Sequence, residues 1–154
     1  MTGKIDQIDI QLLKALQRHG SGLTQRELAE VVGLSQNACW RRLNALEKSG
    51  VIEGRTVRIN RRALGKNLVV FTMLRTRSHS REWLDTFRQH VTAIPEIVDF
   101  YRIGGDYDYM LKIVTDDIES FDGVYQRLID KVELDSVTSY IAMESILENR
   151  PIAL

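Results

Sequence analysis

Apolar residues in the first fifty positions recur every three or four residues, the spacing that places side chains on one face of an α-helix. The first predicted helix ends before Gly20, and its apolar stripe consists of Ile5, Ile8, Leu12, Leu13 and Leu16. A second, short helix opens with Thr24-Gln25-Arg26-Glu27, in which the Thr and Glu side chains can each bond an unsatisfied helix N–H, and it stops at Gly33. Ser35 can cap a third helix that ends at Ser49-Gly50 and whose buried face would be Cys39, Leu43 and Leu46. A short helix, a glycine turn and a serine-capped helix follow the plan of a helix-turn-helix.

After the third helix the helical spacing gives way to short β-prone runs. Residues 51–60 read Val-Ile-Glu-Gly-Arg-Thr-Val-Arg-Ile-Asn, and these two runs around Glu53-Gly54 predict a small hairpin beside the third helix. That hairpin would be the wing of a winged helix-turn-helix. Residues 61–66 are predicted to form a linker, because the pattern changes to strands immediately afterwards.

From residue 68 onward the pattern predicts strand, helix, strand, strand, helix, strand. The strands are placed at 68–77, 97–103, 109–114 and about 137–147, the first helix is closed by Pro95, and the apolar face of the second is Ile118, Phe121, Tyr125, Leu128 and Val132. A βαββαβ order implies a four-stranded antiparallel sheet with both helices on one face, the ferredoxin-like arrangement. The other sheet face needs a cover, for which a second subunit is the obvious candidate. The predicted fold class is therefore α+β, with a winged helix-turn-helix in residues 1–62 and a linker strand and ferredoxin-like domain in residues 63–154.

Composition limits the class of protein. The 154 residues, 44% of them hydrophobic, suit one medium domain or two small ones, each with its own core. No apolar run approaches the roughly 20 residues of a membrane helix and no leader peptide is evident, so we expect a cytoplasmic protein without a membrane partner. The single cysteine, Cys39, excludes an internal disulfide and a Cys-based zinc cluster within one chain, and on the buried face it is expected to be a core residue rather than a redox sensor.

The formal net charge is zero, but the two halves differ. Residues 1–62 hold 11 of the 21 basic and 6 of the 21 acidic residues, a net charge of +5, which leaves residues 63–154 with −5. Only residues 1–62 therefore carry the net positive charge that favours binding to the phosphates of a nucleic acid.

The third predicted helix presents a polar and cationic face opposite its buried one. At 100° per residue, Asn37, Arg41, Asn44 and Lys48 point away from the buried residues, while Gln36, Ala38, Trp40 and Arg42 lie on the flanks. Because Asn and Gln can pair with adenine and Arg with guanine in the major groove, this face is suited to reading duplex DNA. The candidate DNA contacts are Ser35, Gln36, Asn37, Ala38, Trp40, Arg41, Arg42, Asn44, Lys48, Arg55 and Arg58.

These residues also have plainer interpretations. A polar helix face is often only solvated, Trp40 can pack at the edge of the core instead of against the sugar-phosphate backbone, and Arg55 and Arg58 can serve solubility alone. The capped helices, the wing and the local positive charge together favour the DNA interpretation.

The loop Gly104-Gly105-Asp106-Tyr107-Asp108 is the most distinctive feature of the second half. Its glycines allow backbone N–H groups to approach a carboxylate, and Asp106 and Asp108 could receive an ammonium group, so an amino acid would satisfy both. The alternative is a tight strand connection that binds nothing.

The sequence offers no catalytic motif and calls for no cofactor. The three histidines, His19, His79 and His90, lack the spacing of metal ligands, and no nucleophile motif or phosphate-binding loop is present.

Several segments together resemble the Lrp/AsnC family of feast/famine transcription regulators. Residues 5–9 (Ile-Asp-Gln-Ile-Asp) look like that family's N-terminal signature, and residues 32–43 followed by 46–52 resemble its helix-turn-helix and the start of its wing. Gly105-Asp106-Tyr107-Asp108-Tyr109 is similar to the Gly-x-Tyr-Asp-Tyr motif of its effector domain. The order and separation of these pieces make the resemblance specific across nearly the whole chain.

The resemblance implies a sequence-specific DNA-binding transcription regulator that responds to an amino acid or related metabolite. It implies dimers formed through the C-terminal sheets, assembled into octamers or other higher forms, and an effector held by Gly104–Asp108 together with Thr138, Ser139 and Tyr140 of a neighbouring chain. Two alternatives stay open: an enzyme resembling siroheme decarboxylases of the same fold, and an assembly partner that binds no DNA.

Overall fold

A computed structural model describes residues 5–78 and 80–154, so His79, one of the three histidines that lack metal-ligand spacing, lies outside the described residues. The backbone divides into two compact units: residues 1–59 with 147–154, and residues 60–146. The division near residue 60 lies close to the domain boundary predicted at 62. Residues 147–154 group with the first unit, although the second domain was predicted to extend to residue 154. Within the first unit, the Gln17 side-chain amide donates to the carbonyl of Ile152 at 3.4 Å.

Three helices build the first unit: α1 (Gln7–His19), α2 (Gln25–Val31) and α3 (Gln36–Lys48). Each begins at a side-chain cap that satisfies N–H groups which the helix itself leaves unpaired. Thr24 and Glu27 form the predicted capping box of α2, and Ser35 caps α3 by accepting from the Ala38 N–H at 3.3 Å. The helix-turn-helix prediction is confirmed, because α2 and α3 are separated by a turn at Gly33, whose φ is +68°.

The core of the first unit joins all three helices. Its buried members are Leu12, Ala15, Leu28, Ala29, Cys39, Leu43 and Leu46. The predicted buried face of α3 is confirmed, and Cys39 is a fully buried free thiol, whose pKa is raised by its removal from water.

The hairpin predicted for residues 51–60 is wrong. Residues 53–60 form no strand or ladder, and Gly54 does not have the positive φ that a two-residue hairpin turn requires. Val57 and Ile59 are 61% and 65% exposed, so the β-prone residues have no packing partner there. A 3₁₀ helix, Arg61–Leu64, occupies the predicted linker.

The second unit has the predicted βαββαβ order. Its elements are β1 (Leu68–Thr76), α4 (Arg81–Thr92), β2 (Ile97–Arg102), β3 (Tyr109–Thr115), α5 (Ile118–Ile129) and β4 (Leu134–Ile141). The strands form one antiparallel sheet in the order β2-β3-β1-β4, which confirms the ferredoxin-like arrangement. The last strand begins three residues earlier and ends six residues earlier than predicted, because its extent is set by pairing with β1 rather than by its own apolar pattern.

Both helices pack on one face of the sheet in a single core. Val70, Leu74, Leu111 and Ile113 of the sheet contact the buried faces of the two helices, which comprise Phe87, Val91, Val124 and Leu128. Strand alternation places the neighbouring residues on the opposite face. That open face carries Phe71, Met73, Tyr101, Met110, Thr138 and Tyr140.

Candidate nucleic-acid interface and effector loop

Helix α3 carries a polar and cationic edge on the side away from the core, as predicted. We call Gln36, Asn37, Trp40, Arg41, Asn44 and Lys48 the recognition edge. All of them are exposed except Asn44, which is half-buried. Trp40 is 55% exposed and is therefore not a core residue. The edge offers amide, aromatic and cationic groups together on one surface.

The two cations of the recognition edge, Arg41 and Lys48, have no charged or hydrogen-bonding partner among the described residues. Within residues 5–78 and 80–154, neither Arg41 nor Lys48 makes an ion pair or side-chain hydrogen bond. Their charges are thus available to an external anion, and desolvating them on binding would break no internal contact. Arg58, in the irregular segment after α3, is also exposed and likewise unpaired among the described residues.

Two other predicted cations are engaged within the chain. Arg42 is half-buried and its Nη1 lies 2.8 Å from Asp6 Oδ2 and 2.7 Å from Asp9 Oδ1. Arg55 Nη2 lies 2.9 Å from Glu47 Oε1 on α3. The contacts of Arg42 with Asp6 and Asp9 argue against the prediction that Arg42 contacts DNA. Arg55 would have to leave the Glu47 carboxylate in order to contact a phosphate.

The remaining candidates of α3 lie at its start. Ser35 uses its hydroxyl oxygen as the cap, and Ala38, whose N–H it binds, is half-buried. Both belong to the helix N-terminus, where N–H groups and the helix dipole favour a phosphate.

The predicted effector loop, Gly104–Asp108, joins β2 to β3 and is fixed at both ends. The Ile103 N–H donates to the carbonyl of Asp108 at 2.9 Å, and the Asp108 N–H donates to the carbonyl of Leu74 on β1 at 2.8 Å. Asp108 Oδ2 also accepts from the backbone N–H and the hydroxyl of Thr76, at 2.7 and 3.2 Å. Since these bonds hold the Asp108 carboxylate against β1, Asp106 is the loop carboxylate better placed for an ammonium group.

Arg75 at the end of β1 supports the loop from outside it. Its guanidinium donates to the carbonyl of Asp106, with Nε at 2.8 Å, and lies 5.7 Å from the centre of the Tyr107 ring. Neither Arg75 nor Thr76 was among the residues predicted from the sequence. Two polar residues at the end of an otherwise apolar strand could have pointed to them. Their contacts with Asp106 and Asp108, however, depend on strand pairing between residues that lie 31 and 32 positions apart.

The loop meets the last strand through hydroxyl groups on the open face. The Tyr107 hydroxyl donates to Thr138 Oγ1 at 3.3 Å. Hydrogen bonding with the hydroxyls of Thr138 and Tyr140, which can donate to a phenolate, lowers the pKa of Tyr107. Ser139 does not join them, because neighbouring strand residues point to opposite faces; its hydroxyl instead lies 3.1 Å from that of Thr72. The structure thus brings Thr138 and Tyr140 to the loop and separates Ser139 from it.

Replacing Gly105 with alanine should destabilise the protein by about 1–3 kcal/mol, because its φ of +119° is strained for any residue with a Cβ. Gly104→Ala is the matched control, since it lacks a positive φ and, like Gly105, has open space where the Cβ would lie. Urea unfolding of both variants measures the difference. Equal destabilisation by the two substitutions would show that the loop conformation does not require glycine at 105.

Neither a metal site nor a membrane-spanning helix is present among the described residues. No group of three His, Cys, Asp or Glu side chains in residues 5–78 and 80–154 could hold a metal, and none of the helices there is long and apolar enough to cross a membrane. His90 has a structural contact, with its Nε2 lying 3.1 Å from the carbonyl of Leu128 between α4 and α5.

A helix-turn-helix with an unpaired cationic edge, joined to a ferredoxin-like unit with a glycine loop, defines a DNA-binding transcription regulator with a ligand-binding domain. Residues 5–53 match the winged helix-turn-helix DNA-binding family, and residues 69–152 match the Lrp/AsnC ligand binding domain. The chain belongs to the Lrp/AsnC family of transcription regulators.

Individual relatives match across nearly the whole chain. The glutamate uptake regulatory protein of Zymomonas mobilis is 41% identical over 146 residues, which cover 95% of this chain and 88% of that protein. The crystal structure of an AsnC family transcriptional regulator from Agrobacterium tumefaciens has a TM-score of 0.91 at 40% identity, covering 96% of both chains. A transcriptional regulator from Neisseria meningitidis, solved as a complex with L-methionine, has a TM-score of 0.86 at 25% identity and covers 94% of both chains. These relatives are named as regulators rather than enzymes.

Proposed function

We propose that the recognition edge of α3 reads base edges in the major groove of specific DNA sites. The observation that carries this proposal is the pair of unpaired cations, Arg41 and Lys48, beside exposed amides on one helix edge. Asn37 and Gln36 supply donors and acceptors that match adenine, and Arg41 matches guanine. The start of α3, at Ser35 and Ala38, and Arg58 supply phosphate contacts that set the register without reading sequence.

The proposed signal is an amino acid or a related small metabolite bound at the loop Gly104–Asp108. Exposed Asp106 can receive an ammonium group, the glycines allow close approach of a carboxylate, and Thr138 and Tyr140 border the loop through Tyr107. The relative solved with L-methionine supports this ligand class. The ligand would shift the equilibrium between two assemblies of the protein that differ in DNA affinity. The size of that shift is set by the difference between the ligand's affinities for the two assemblies.

The proposed assembly begins with a dimer through the open face of the sheet. Phe71, Met73 and Met110 lie on the sheet face opposite the one that α4 and α5 cover, and Tyr101 and Tyr140 are more than half exposed. A symmetric dimer would bury this face and present two recognition edges to a palindromic site in the cytoplasm. Octamers or other higher forms would then be built from such dimers.

Selection of genomic DNA fragments by the purified full-length chain tests the proposal, repeated with and without a panel of amino acids. A few fragments should be enriched, and their affinity should fall steeply as salt rises, because phosphate contacts release counterions. The double substitution Arg41→Ala and Lys48→Ala should abolish the enrichment. A flat titration against all fragments at low salt would contradict DNA binding, and enrichment unchanged by every amino acid would contradict the proposed signal.

A further inference from the structure

Three charged side chains join the first turn of α1 to the middle of α3. A single nitrogen, Arg42 Nη1, lies within hydrogen-bond distance of both Asp6 and Asp9, at 2.8 and 2.7 Å. The two carboxylates also cap α1 reciprocally: the Asp9 N–H donates to Asp6 Oδ1 at 2.8 Å, and the Asp6 N–H donates to Asp9 Oδ2 at 3.1 Å. Each carboxylate therefore uses one oxygen for the helix cap and the other for Arg42.

This arrangement is partly shielded from water. The side chains of Arg42 and Asp9 are 30% and 14% exposed and that of Asp6 is 49% exposed. By comparison, two other ion pairs among the described residues of the first unit, Arg26–Glu30 and Arg55–Glu47, lie between side chains that are each more than 40% exposed. The Asp9 N–H and the Arg42 guanidinium lower the pKa of Asp6, and the Asp9 and Asp6 carboxylates raise the pKa of Arg42, so that both shifts favour the charged forms of Asp6 and Arg42. A half-buried charge-assisted contact constrains geometry more than a surface pair does.

Arg42 and Arg41 are neighbours with different surroundings. They lie 100° apart around α3, so that Arg41 belongs to the recognition edge while Arg42 faces α1. Rotation of α3 about its axis would move both residues together. The contact that holds Arg42 against Asp6 and Asp9 therefore restrains, together with the core packing of α3, the direction in which Arg41 and Asn37 point.

We propose that Arg42 is a positioning residue for DNA recognition, which fixes the rotation of α3 through Asp6 and Asp9 and does not itself contact phosphate. This inference rests on the proposed function of the recognition edge. The competing interpretation is that Arg42 leaves the carboxylates and grips a phosphate when DNA binds. The two interpretations predict opposite effects of removing the Asp9 charge.

The Asp9→Asn variant separates the two interpretations, because asparagine retains an oxygen for the cap but loses the charge that holds Arg42. If Arg42 positions α3, the ratio of specific to non-specific DNA affinity should fall by about three- to tenfold, with an unchanged salt slope. If Arg42 contacts phosphate, the same substitution should release it, so that affinity rises and the salt slope steepens by about one. The second result would overturn the proposal.

Substitutions at position 42 provide the matched comparison in the full-length protein. Arg42→Gln should lower the specificity ratio as Asp9→Asn does, and the double variant should be no worse than either single one. Arg42→Lys should restore most of the ratio, since one nitrogen makes both contacts. Arg41→Gln is the control for a true base contact and should relax discrimination at a single base pair of the site.

Thermal unfolding of each variant checks that it is folded at the assay temperature. The Asp6→Asn variant is a second test of the contacts among Asp6, Asp9 and Arg42, because asparagine can still cap α1. Normal specificity ratios in Asp9→Asn, Asp6→Asn and Arg42→Gln, alongside a defective Arg41→Gln, would overturn this inference and leave the proposed function intact. Wild-type protein that discriminates no DNA site would overturn both.

Discussion

Replacing Arg41 with alanine should weaken binding to a specific DNA site by roughly 5- to 150-fold, the equivalent of about 1–3 kcal/mol. Arg41 is exposed on the recognition edge and makes no ion pair within the described residues, so the substitution removes an external contact and little else. A guanidinium that bonds O6 and N7 of guanine discriminates against other bases at that position. Discrimination should therefore relax at one base pair of the site and stay the same at the others.

Fluorescence anisotropy against the selected site and its single-base variants would measure both effects. Arg18→Ala is the matched control, because Arg18 is an exposed arginine of the same unit on α1, away from the recognition edge. It should change affinity little and leave base discrimination intact. Full discrimination by Arg41→Ala at every position would show that Arg41 does not read a base.

Replacing Phe87 with alanine should lower the free energy of unfolding of the second unit by about 3–5 kcal/mol. Phe87 is fully buried, and its ring centre lies 4.9, 5.6 and 5.0 Å from those of Trp83, Phe100 and Tyr109. These rings come from α4, β2 and β3. Truncation would leave a cavity at the point where the helix layer meets the sheet, and the surrounding structure could close it only in part.

Urea unfolding of the full-length chain would measure the loss, with a probe in each unit. Ile118→Ala serves as the control, because Ile118 is an apolar residue of the same unit that is 56% exposed, and its truncation should cost much less. A loss below about 1 kcal/mol for Phe87→Ala would mean that this aromatic cluster does not hold the second unit together.

Local signals accounted for the helices of the first unit. The capping box of Thr24 and Glu27 and the Ser35 cap act within three residues, and the buried stripe of α3 repeats within one helix. Such features can be read from sequence because the residues that interact are neighbours in the chain. The strand order also followed, since few arrangements are open to a βαββαβ chain.

Features that depend on distant pairing could not be read in the same way. The segment 51–60 has the composition of strands, but none of the described residues forms a strand pair with it. Arg42 is a residue type that commonly contacts DNA, yet its acceptors here, Asp9 and Asp6 at the start of α1, lie 33 and 36 positions away in the sequence. In the effector loop the glycines and carboxylates were evident, whereas the use of Asp108 to hold β1 became visible only once the strands were paired.

The buried thiol of Cys39 allows the opening of the first unit's core to be measured chemically. It is the only cysteine in the sequence and is fully buried beside Leu43 and Leu46, with a thiol pKa raised by burial. A thiolate-directed reagent can reach it only when the three-helix core opens, so the rate of alkylation reports the opening of that core. Because the second unit has no thiol, the reaction follows the motion of the DNA-binding half alone, and its acceleration or slowing by an amino acid would register communication between the two halves.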